Sequence, residues 1–259
     1  METDARSAYD VLAPFYDRFT DGYAHEALVA SLHGLARDHG LTGDRALDVA
    51  CGTGKSTEPL AGLGYDVSAC DISPEMARRA RERVGDASRV FVADMRSLPD
   101  VGAFDLITCL DDSVNYLLSE ADLRRALGSM ACRLRPGGQL VFDTNTIGTY
   151  RKGFSSDFVV DAGETLFCWR GQTDADVAAG SVCGATLEVF DRRRDGAFDR
   201  LTSVHRQRHH APDPVREAIA AAGLRLRAVR GLLPGGALDR TPSDDEQPKL
   251  VYLAERPDA

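Results

Sequence analysis

No stretch of this sequence approaches the ~20 consecutive apolar residues of a membrane span, which sets aside a helical membrane protein and a membrane partner. No C-x-x-C pair occurs either. The six cysteines (Cys51, Cys70, Cys109, Cys132, Cys168 and Cys183) are scattered, so neither a zinc site nor a disulfide framework is expected. Cys51, Cys70 and Cys109 fall at predicted strand ends and Cys132 in a predicted helix, which suits buried, reduced thiols. The first residues, Met1-Glu2-Thr3-Asp4-Ala5-Arg6, lack the basic-then-apolar order of a secretory signal, and a cytoplasmic setting is expected. An excess of positive charge is missing too. The 31 Lys+Arg stand against 40 Asp+Glu, a formal net charge of −9, which opposes nucleic acid as the main partner. There is no internal repeat and no low-complexity tract. What is present is a 259-residue chain, 43% hydrophobic and 27% charged, able to bury a sizeable core as one large domain or two small ones.

The chain is organised around Arg45-Ala46-Leu47-Asp48-Val49-Ala50-Cys51-Gly52-Thr53-Gly54-Lys55-Ser56-Thr57. Ala46, Leu47, Val49 and Ala50 suit a strand buried on both faces of a parallel sheet. Gly52 and Gly54 permit a tight turn and close approach of a ligand. Ser56 or Thr57 can cap a following helix, and Pro59 is tolerable in its first turn. Strand, glycine loop and helix in that order commonly hold a nucleotide-like ligand. The NAD-type G-x-G-x-x-G needs a third glycine where Thr57 stands. The P-loop G-x-x-x-x-G-K-[ST] needs a leading glycine where Val49 stands. The remaining pattern, Asp48-x-x-x-Gly52-x-Gly54, resembles the first motif of the class I S-adenosylmethionine (SAM) dependent methyltransferases. In that family the acid braces the loop under the methionine part of the cofactor.

Further motifs follow in order. A second strand, about Asp66 to Cys70, ends at Asp71, and Ser73-Pro74 starts a helix with Ser73 as N-cap. An acid at that place, about 20 residues past a glycine loop, suits a ribose diol. Met76 resembles the apolar residue that packs on adenine. A third strand, Val90 to Ala93, ends in Asp94-Met95-Arg96, where an acid can accept from the adenine amine. The resemblance adds Ala50, Ile72, Met95 and Leu110 to the cofactor set, with Tyr16 and Ser56 toward the methionine carboxylate. Leu134-x-Pro136-Gly137-Gly138 before an apolar strand, and Tyr9-Asp10-x-x-Ala13-x-x-Tyr16-Asp17 at the N-terminus, are also similar to the family's spelling. In relatives the latter closes over the methionine end; an aromatic staple is the plainer reading. A helix from about His25 to His39 carries Leu28, Leu32 and Leu35 on one face.

The fourth strand, Phe104 to Leu110, runs into Asp111-Asp112, in this fold the end that meets the methyl group and the acceptor. The [DN]-P-P-[YF] of base-methylating enzymes is absent there. Asp111 or Asp112 could orient or deprotonate an acceptor, or cap the next turn. Ser119-Glu120-Ala121-Asp122 starts another helix in capping-box style, with Leu123, Leu127, Met130 and Leu134 as its core face. The fifth strand is about Gln139 to Asp143.

After Asn145 about 60 residues interrupt the alternation, far beyond ordinary loop lengths. They hold three strand-like runs, Thr165 to Arg170, Ala185 to Phe190 and Phe198 to His205, with an Asp195-Gly196 hairpin signal. We expect an antiparallel lid shaping an acceptor pocket, with Phe167, Trp169, His205 and His209 as pocket candidates. The cluster from His205 to His210 reads equally as an exposed strand end, and no metal is expected there. Arg192-Arg193-Arg194 suits a solvated hairpin tip, or a phosphate on the acceptor. A last helix, Val215 to Ala222, and strands Leu224 to Leu232 and Leu250 to Glu255 follow; the linker Leu233 to Gln247 should be mobile.

The expected fold is therefore α/β: a doubly wound, seven-stranded, mostly parallel Rossmann-like sheet with an antiparallel β insert after the fifth strand. Residues 1–145 would form the N-terminal cap and SAM-binding core, 146–211 the lid and 212–259 the closing helix and strands. The resemblance implies a SAM-dependent methyltransferase acting on N or O of a small-molecule acceptor, in the manner of antibiotic-tailoring and amino-sugar N-methyltransferases. Asp111, Asp112, His205 and His209 are the catalytic candidates. A non-enzymatic SAM- or nucleotide-binding module is the alternative, and the sequence leaves room for a homodimer.

Overall fold

The computed structural model describes residues 5–258, save the side chain of Ala87. The reading of Met1–Asp4 as a non-signal start lies outside the described residues. Helices α1 (Ala5–Leu12), α2 (Tyr16–Phe19) and α3 (His25–Asp38) come first. Then strands and helices alternate: β1 (Arg45–Val49), α4 (Thr57–Gly62), β2 (Asp66–Asp71), α5 (Pro74–Val84), β3 (Ser88–Val92), β4 (Phe104–Cys109), α6 (Glu120–Ala131) and β5 (Leu134–Asn145). The interruption holds α7 (Ile147–Gly153) and β6 (Asp157–Asp161), β7 (Thr165–Gly171), β8 (Val182–Arg192) and β9 (Phe198–Arg208). The chain closes with α8 (Pro212–Ala221), β10 (Arg225–Leu232), β11 (Leu238–Asp239) and β12 (Lys249–Glu255).

The main sheet runs in the order β11-β10-β12-β5-β4-β1-β2-β3. β1 to β5 pair in parallel, while β12 is antiparallel to β5 and β10 to β12. Helices cover both faces, so the central strands are buried: every residue of β4 is, Asp105 and Thr108 included, while the edge strand β3 is largely open. α6 and α8 pack one face through Leu123, Leu127, Met130, Val215 and Ile219. α3 packs the other through Leu28, Leu32 and Leu35. β1 lies between β2 and β4, so the chain leaves it in opposite directions across the sheet. The glycine loop follows the carboxyl end of β1, at the switch point where open α/β sheets bind ligands.

Four expectations need correction. The sheet has eight strands, because the two residues of β11 add an edge to β10. The insert has four strands in the order β6-β7-β8-β9, and α7 precedes them. β6 escaped notice because four of its five side chains are exposed, which leaves no alternating pattern. α7 has poor intrinsic helix formers, yet Thr146 caps it and Ile147, Gly148 and Tyr150 are buried. All six cysteines are free, but Cys132 is exposed at the end of α6 rather than buried.

The last correction concerns the linker from Leu233 to Gln247, which is packed. The buried Gln247 side chain accepts from Ser243 N and donates to Asp239 Oδ2 at 3.2 Å. Gly236 has φ +84°, and a Cβ there would stand 2.5 Å from Leu28 N on α3. Gly236→Ala should therefore lower the stability of the fold by about 1–3 kcal/mol. Thermal unfolding checks this: an unchanged midpoint would mean that the segment is loose after all.

Candidate active site

A cavity of about 320 Å³ opens at the carboxyl ends of β1, β2 and β4, with residues from α1, α2 and β9 over it. The glycine loop forms one wall. Ala50 turns out of β1 at φ 58°, a left-handed conformation rarely held by a residue with a Cβ. Gly52 continues at φ 54° and lines the cavity. Gly54 serves a different end, outside the cavity lining: a Cβ there would stand 3.3 Å from Ala80 Cα, so its bareness lets α5 pack against the loop. Ser56 precedes α4 but makes no capping bond with its side chain. It lines the cavity instead.

Asp48 is 1% exposed. Its carboxylate accepts from Thr57 Oγ1 at 2.7 Å and Thr108 Oγ1 at 2.9 Å, tying the helix start and the neighbouring strand to β1. Burial pushes its pKa up to about 6, against the pull of both hydroxyls. Asp71 accepts from Gly52 N at 2.9 Å and Ser73 N at 2.8 Å. Burial pushes it to about 6 as well. Each of its oxygens retains lone-pair capacity toward the cavity it lines. Asp94 accepts from Arg96 N at 2.8 Å and pairs with the Arg96 guanidinium at 2.6 Å. Burial would raise its pKa, but the Arg96 contacts outweigh that and hold it below the usual range.

Tyr16, Ala50, Ile72, Met95 and Leu110 line the same cavity. Met76 does not. It is 1% exposed in the body of the fold, and Ile72, four residues earlier, takes the place beside the cavity. The helical phase explains the misreading: Met76 starts the inward stripe of α5 with Ala77 and Ala80.

The two aspartates after β4 divide. Both are left-handed, at φ 56° and 51°. The strained pair is held by Asp143 on β5, whose carboxylate accepts from Asp111 N at 2.9 Å and Asp112 N at 2.5 Å. Only Asp111 lines the cavity, and its Oδ2 lies 2.8 Å from His25 Nε2. Asp112 turns inward to Lys249 Nζ at 2.6 Å and accepts from Gln207 Nε2 at 2.6 Å. Lys249 also stands 3.5 Å from Asp111 and 3.6 Å from Asp143. Burial opposes the lysine charge, but the three carboxylates outweigh it and hold the ammonium well above its ordinary range. Burial likewise opposes the Asp111 charge; Lys249 and His25 overcome it and hold that carboxyl well below its usual range. Asp143, deepest, is pushed up to about 6 by burial in spite of Lys249.

The two histidines also part. His205 lies behind the cavity wall, its Nδ1 2.8 Å from the Tyr116 hydroxyl. His209 is remote from the cavity: its Nδ1 accepts from Gly180 N at 3.1 Å, and its Nε2 meets Asp244 at 3.1 Å. It latches the insert to the closing segment and is not part of the cavity lining, which sets it apart from the other catalytic candidates. Phe167 packs with Leu12 and Phe15, and Trp169 stacks at 5.8 Å on His205; neither lines the cavity. Sequence reading missed His25, Asp143 and Lys249. Only His25 carried a signal, as a histidine opening a helix; the others read as ordinary strand-end residues.

Among the described residues no helix is long and apolar enough to cross a membrane. The donor set around the cavity fits a nucleoside-like ligand with a charged tail: a carboxylate for a diol, the apolar walls of Ile72 and Met95 for a flat ring, and a glycine loop open to close approach. Comparison with known proteins agrees. A family profile described as a methyltransferase domain matches residues 46–138. The chain is 32% identical over 232 residues, 89% of its length and 94% of the relative's, to a dTDP-3-amino-3,4,6-trideoxy-alpha-D-glucopyranose N,N-dimethyltransferase of Streptomyces venezuelae. It is 29% identical over 238 residues, 88% of each chain, to a dTDP-3-amino-3,6-dideoxy-alpha-D-glucopyranose N,N-dimethyltransferase of Streptomyces fradiae. The crystal structure of a SAM-dependent methyltransferase from Clostridium acetobutylicum superposes with a TM-score of 0.82 at 23% identity, covering 96% of this chain and 99% of that one. An acid-braced glycine loop at the switch point, in a chain with such relatives, makes this protein a member of the class I SAM-dependent methyltransferase family, with SAM as its cofactor.

Proposed function

We propose that this enzyme transfers a methyl group from SAM to a nitrogen or oxygen atom of a small-molecule acceptor, and that an amino sugar fits best. The observation that carries the reading is one cavity lined by Asp111, Asp71 and Asp94, at the carboxyl ends of β4, β2 and β3 on either side of the glycine loop, under α1, α2 and β9. Bound SAM supplies an electrophilic methyl on a positively charged sulfur. In this reading Asp71 holds the ribose, Asp94 and Met95 the adenine, and the loop from Ala50 to Thr53, braced by Asp48, the methionine end. Tyr16, Ser56 and Leu110 border that end. Asp111, charged and steadied by His25 and Lys249, faces the reacting region as an anion that favours cationic groups. Residues 146–211 act as the lid, keeping water out while acceptor and methyl are held in line.

The two streptomycete relatives, by their names, methylate amines of dTDP-linked sugars. Arg6 and Arg206 line the same cavity and could meet phosphate oxygens of such a carrier. The test is transfer of tritium from methyl-labelled SAM to dTDP-3-amino-3,6-dideoxy-alpha-D-glucopyranose and a panel of free amino sugars. Label is expected in an amine product. Tight SAM binding with label transfer only to hydroxyl-bearing compounds would replace the amino-sugar reading.

A further inference from the structure

Behind the cavity wall lies a hydrogen-bonded chain whose direction is set at its buried end. Ser203 Oγ on β9 stands 2.9 Å from Ala8 O on α1. A backbone carbonyl only accepts, so the single Ser203 proton points there. His205 Nε2, 3.0 Å from the same oxygen, must then donate to it. With its proton on Nε2, the neutral ring has a bare Nδ1, and Tyr116 donates its hydroxyl proton into that nitrogen at 2.8 Å. Tyr9 lies 3.0 Å from Tyr116, and with the Tyr116 proton committed, Tyr9 is the donor of that pair. The Gln207 amide also reaches the Tyr116 oxygen. Its orientation follows from Asp112, a carboxylate that accepts from Gln207 Nε2 at 2.6 Å. Tyr116 is thereby filled. Tyr9, which lines the cavity, has its proton turned inward and lone pairs left over.

We propose that Ser203 and His205 are positioning residues that fix the hydrogen-bond polarity of the acceptor wall, so that Tyr9 offers lone pairs but no proton to the bound acceptor. The proposal rests on the methyl-transfer reading above and deepens it. A wall of this polarity holds a group that donates, an N–H or O–H, and repels a carboxylate or carbonyl oxygen. It also separates nitrogen from oxygen. A neutral amine donates one N–H to Tyr9 and keeps its lone pair for the methyl carbon. The nitrogen–carbon bond forms, the carbon–sulfur bond breaks with its electrons left on sulfur, and the nitrogen becomes a methylated ammonium that sheds a proton to solvent afterwards. A hydroxyl needs its proton removed as it reacts. The chain cannot take that proton, because the bare nitrogen of His205 is already filled by Tyr116. Burial reinforces this by lowering the His205 pKa to about 4. This wall therefore suits an amine nitrogen, and a hydroxyl would have to give its proton to the Asp111–His25 pair that also lines the cavity.

The experiment is nitrogen-15 NMR of histidine-labelled full-length protein at pH 7 with S-adenosylhomocysteine bound, the His205 signals being assigned by their loss in His205→Gln. A protonated Nε2 and bare Nδ1 are expected. The opposite tautomer, or a doubly protonated ring, would overturn the chain. Ser203→Ala should release the tautomer and raise KM for the amine labelled above by about tenfold, the worth of one hydrogen bond, with kcat little changed. Ser203→Thr should restore both. A Ser203→Ala protein with the wild-type tautomer and KM removes the anchor from the proposal. The tautomer is read without any acceptor, so failure of every amine in the label assay counts against the acceptor reading and leaves this measurement standing. SAM affinity of each variant guards against misfolding.

Discussion

Asp71→Ala is expected to weaken SAM binding about 100-fold or more, while His209→Ala leaves it within about twofold. Two hydroxyl-to-carboxylate bonds are at stake at Asp71, each charge-assisted and worth about 1.5–3 kcal/mol. Asp71 also accepts from Gly52 N, so its loss loosens the loop that the cofactor must meet. His209 lies remote from the cavity, against Asp244 and Gly180. Isothermal titration decides it, and equal effects of the two substitutions would sink the site assignment. The pH dependence supplies a second check. Asp71 and Asp48 both titrate at about 6 in the folded protein. SAM affinity should hold above pH 7 and decline as pH falls through 6, because the protonated carboxyls lose acceptor strength. Their share of stability should move the other way. The folded-state pKa of each lies above the unfolded value of about 3.9, so the share of stability owed to these two carboxyls rises as pH falls from about 6 toward 4, while buried His205, lowered to about 4, works against it over the same window. Asp71→Ala should lose its own share of both slopes and keep that of Asp48.

Lys249→Met should cost about 3–5 kcal/mol of stability, a fall of about 10 °C in the unfolding midpoint. The lysine is the cation shared by Asp111, Asp112 and Asp143. Methionine preserves the apolar stem and removes only the charge, leaving buried carboxylates without compensation. Those carboxyls then bind protons more tightly in the folded than in the unfolded chain. The deficit of the variant should accordingly shrink as pH is lowered toward 5. Adding Asp112→Asn to Lys249→Met should recover part of the loss. A midpoint unmoved by Lys249→Met would show that water already compensates the cluster. Activity should fall with stability, since the left-handed turn that presents Asp111 to the cavity depends on the same group of residues.

The residues that the structure places where the sequence puts them share one property: their signal is local. The glycine loop, the acids ending β2 and β3, and the Ser73 cap with Pro74 behind it each occupy a few consecutive positions. The apolar stripes of α3 and α6 recur at helical spacing and are buried as expected. Where local reading failed, two influences competed over the same few residues. Met76 stood one helical step from the cavity, and burial claimed it for the core while Ile72 faced the opening. β6 is an exposed edge strand and had no periodicity to read. The linker after Leu233 had the composition of a loop, but Gln247 and Gly236 tie it down through contacts that composition does not encode.

By itself the sequence determined the alternating architecture, the place of the glycine loop at the end of β1 and the identity of the strand-end acids, because hydrophobic period and turn chemistry act over neighbouring residues. Only the tertiary structure decided which aspartate faces the cavity. His25 meets Asp111 across 86 positions and Lys249 meets Asp112 across 137, and a pairing at such separation leaves no trace in the spacing of either residue. The same holds for the wall behind the acceptor. Ser203 finds the Ala8 carbonyl 195 positions away, and in the proposed chain the directions of the His205, Tyr116 and Tyr9 protons follow from that one contact.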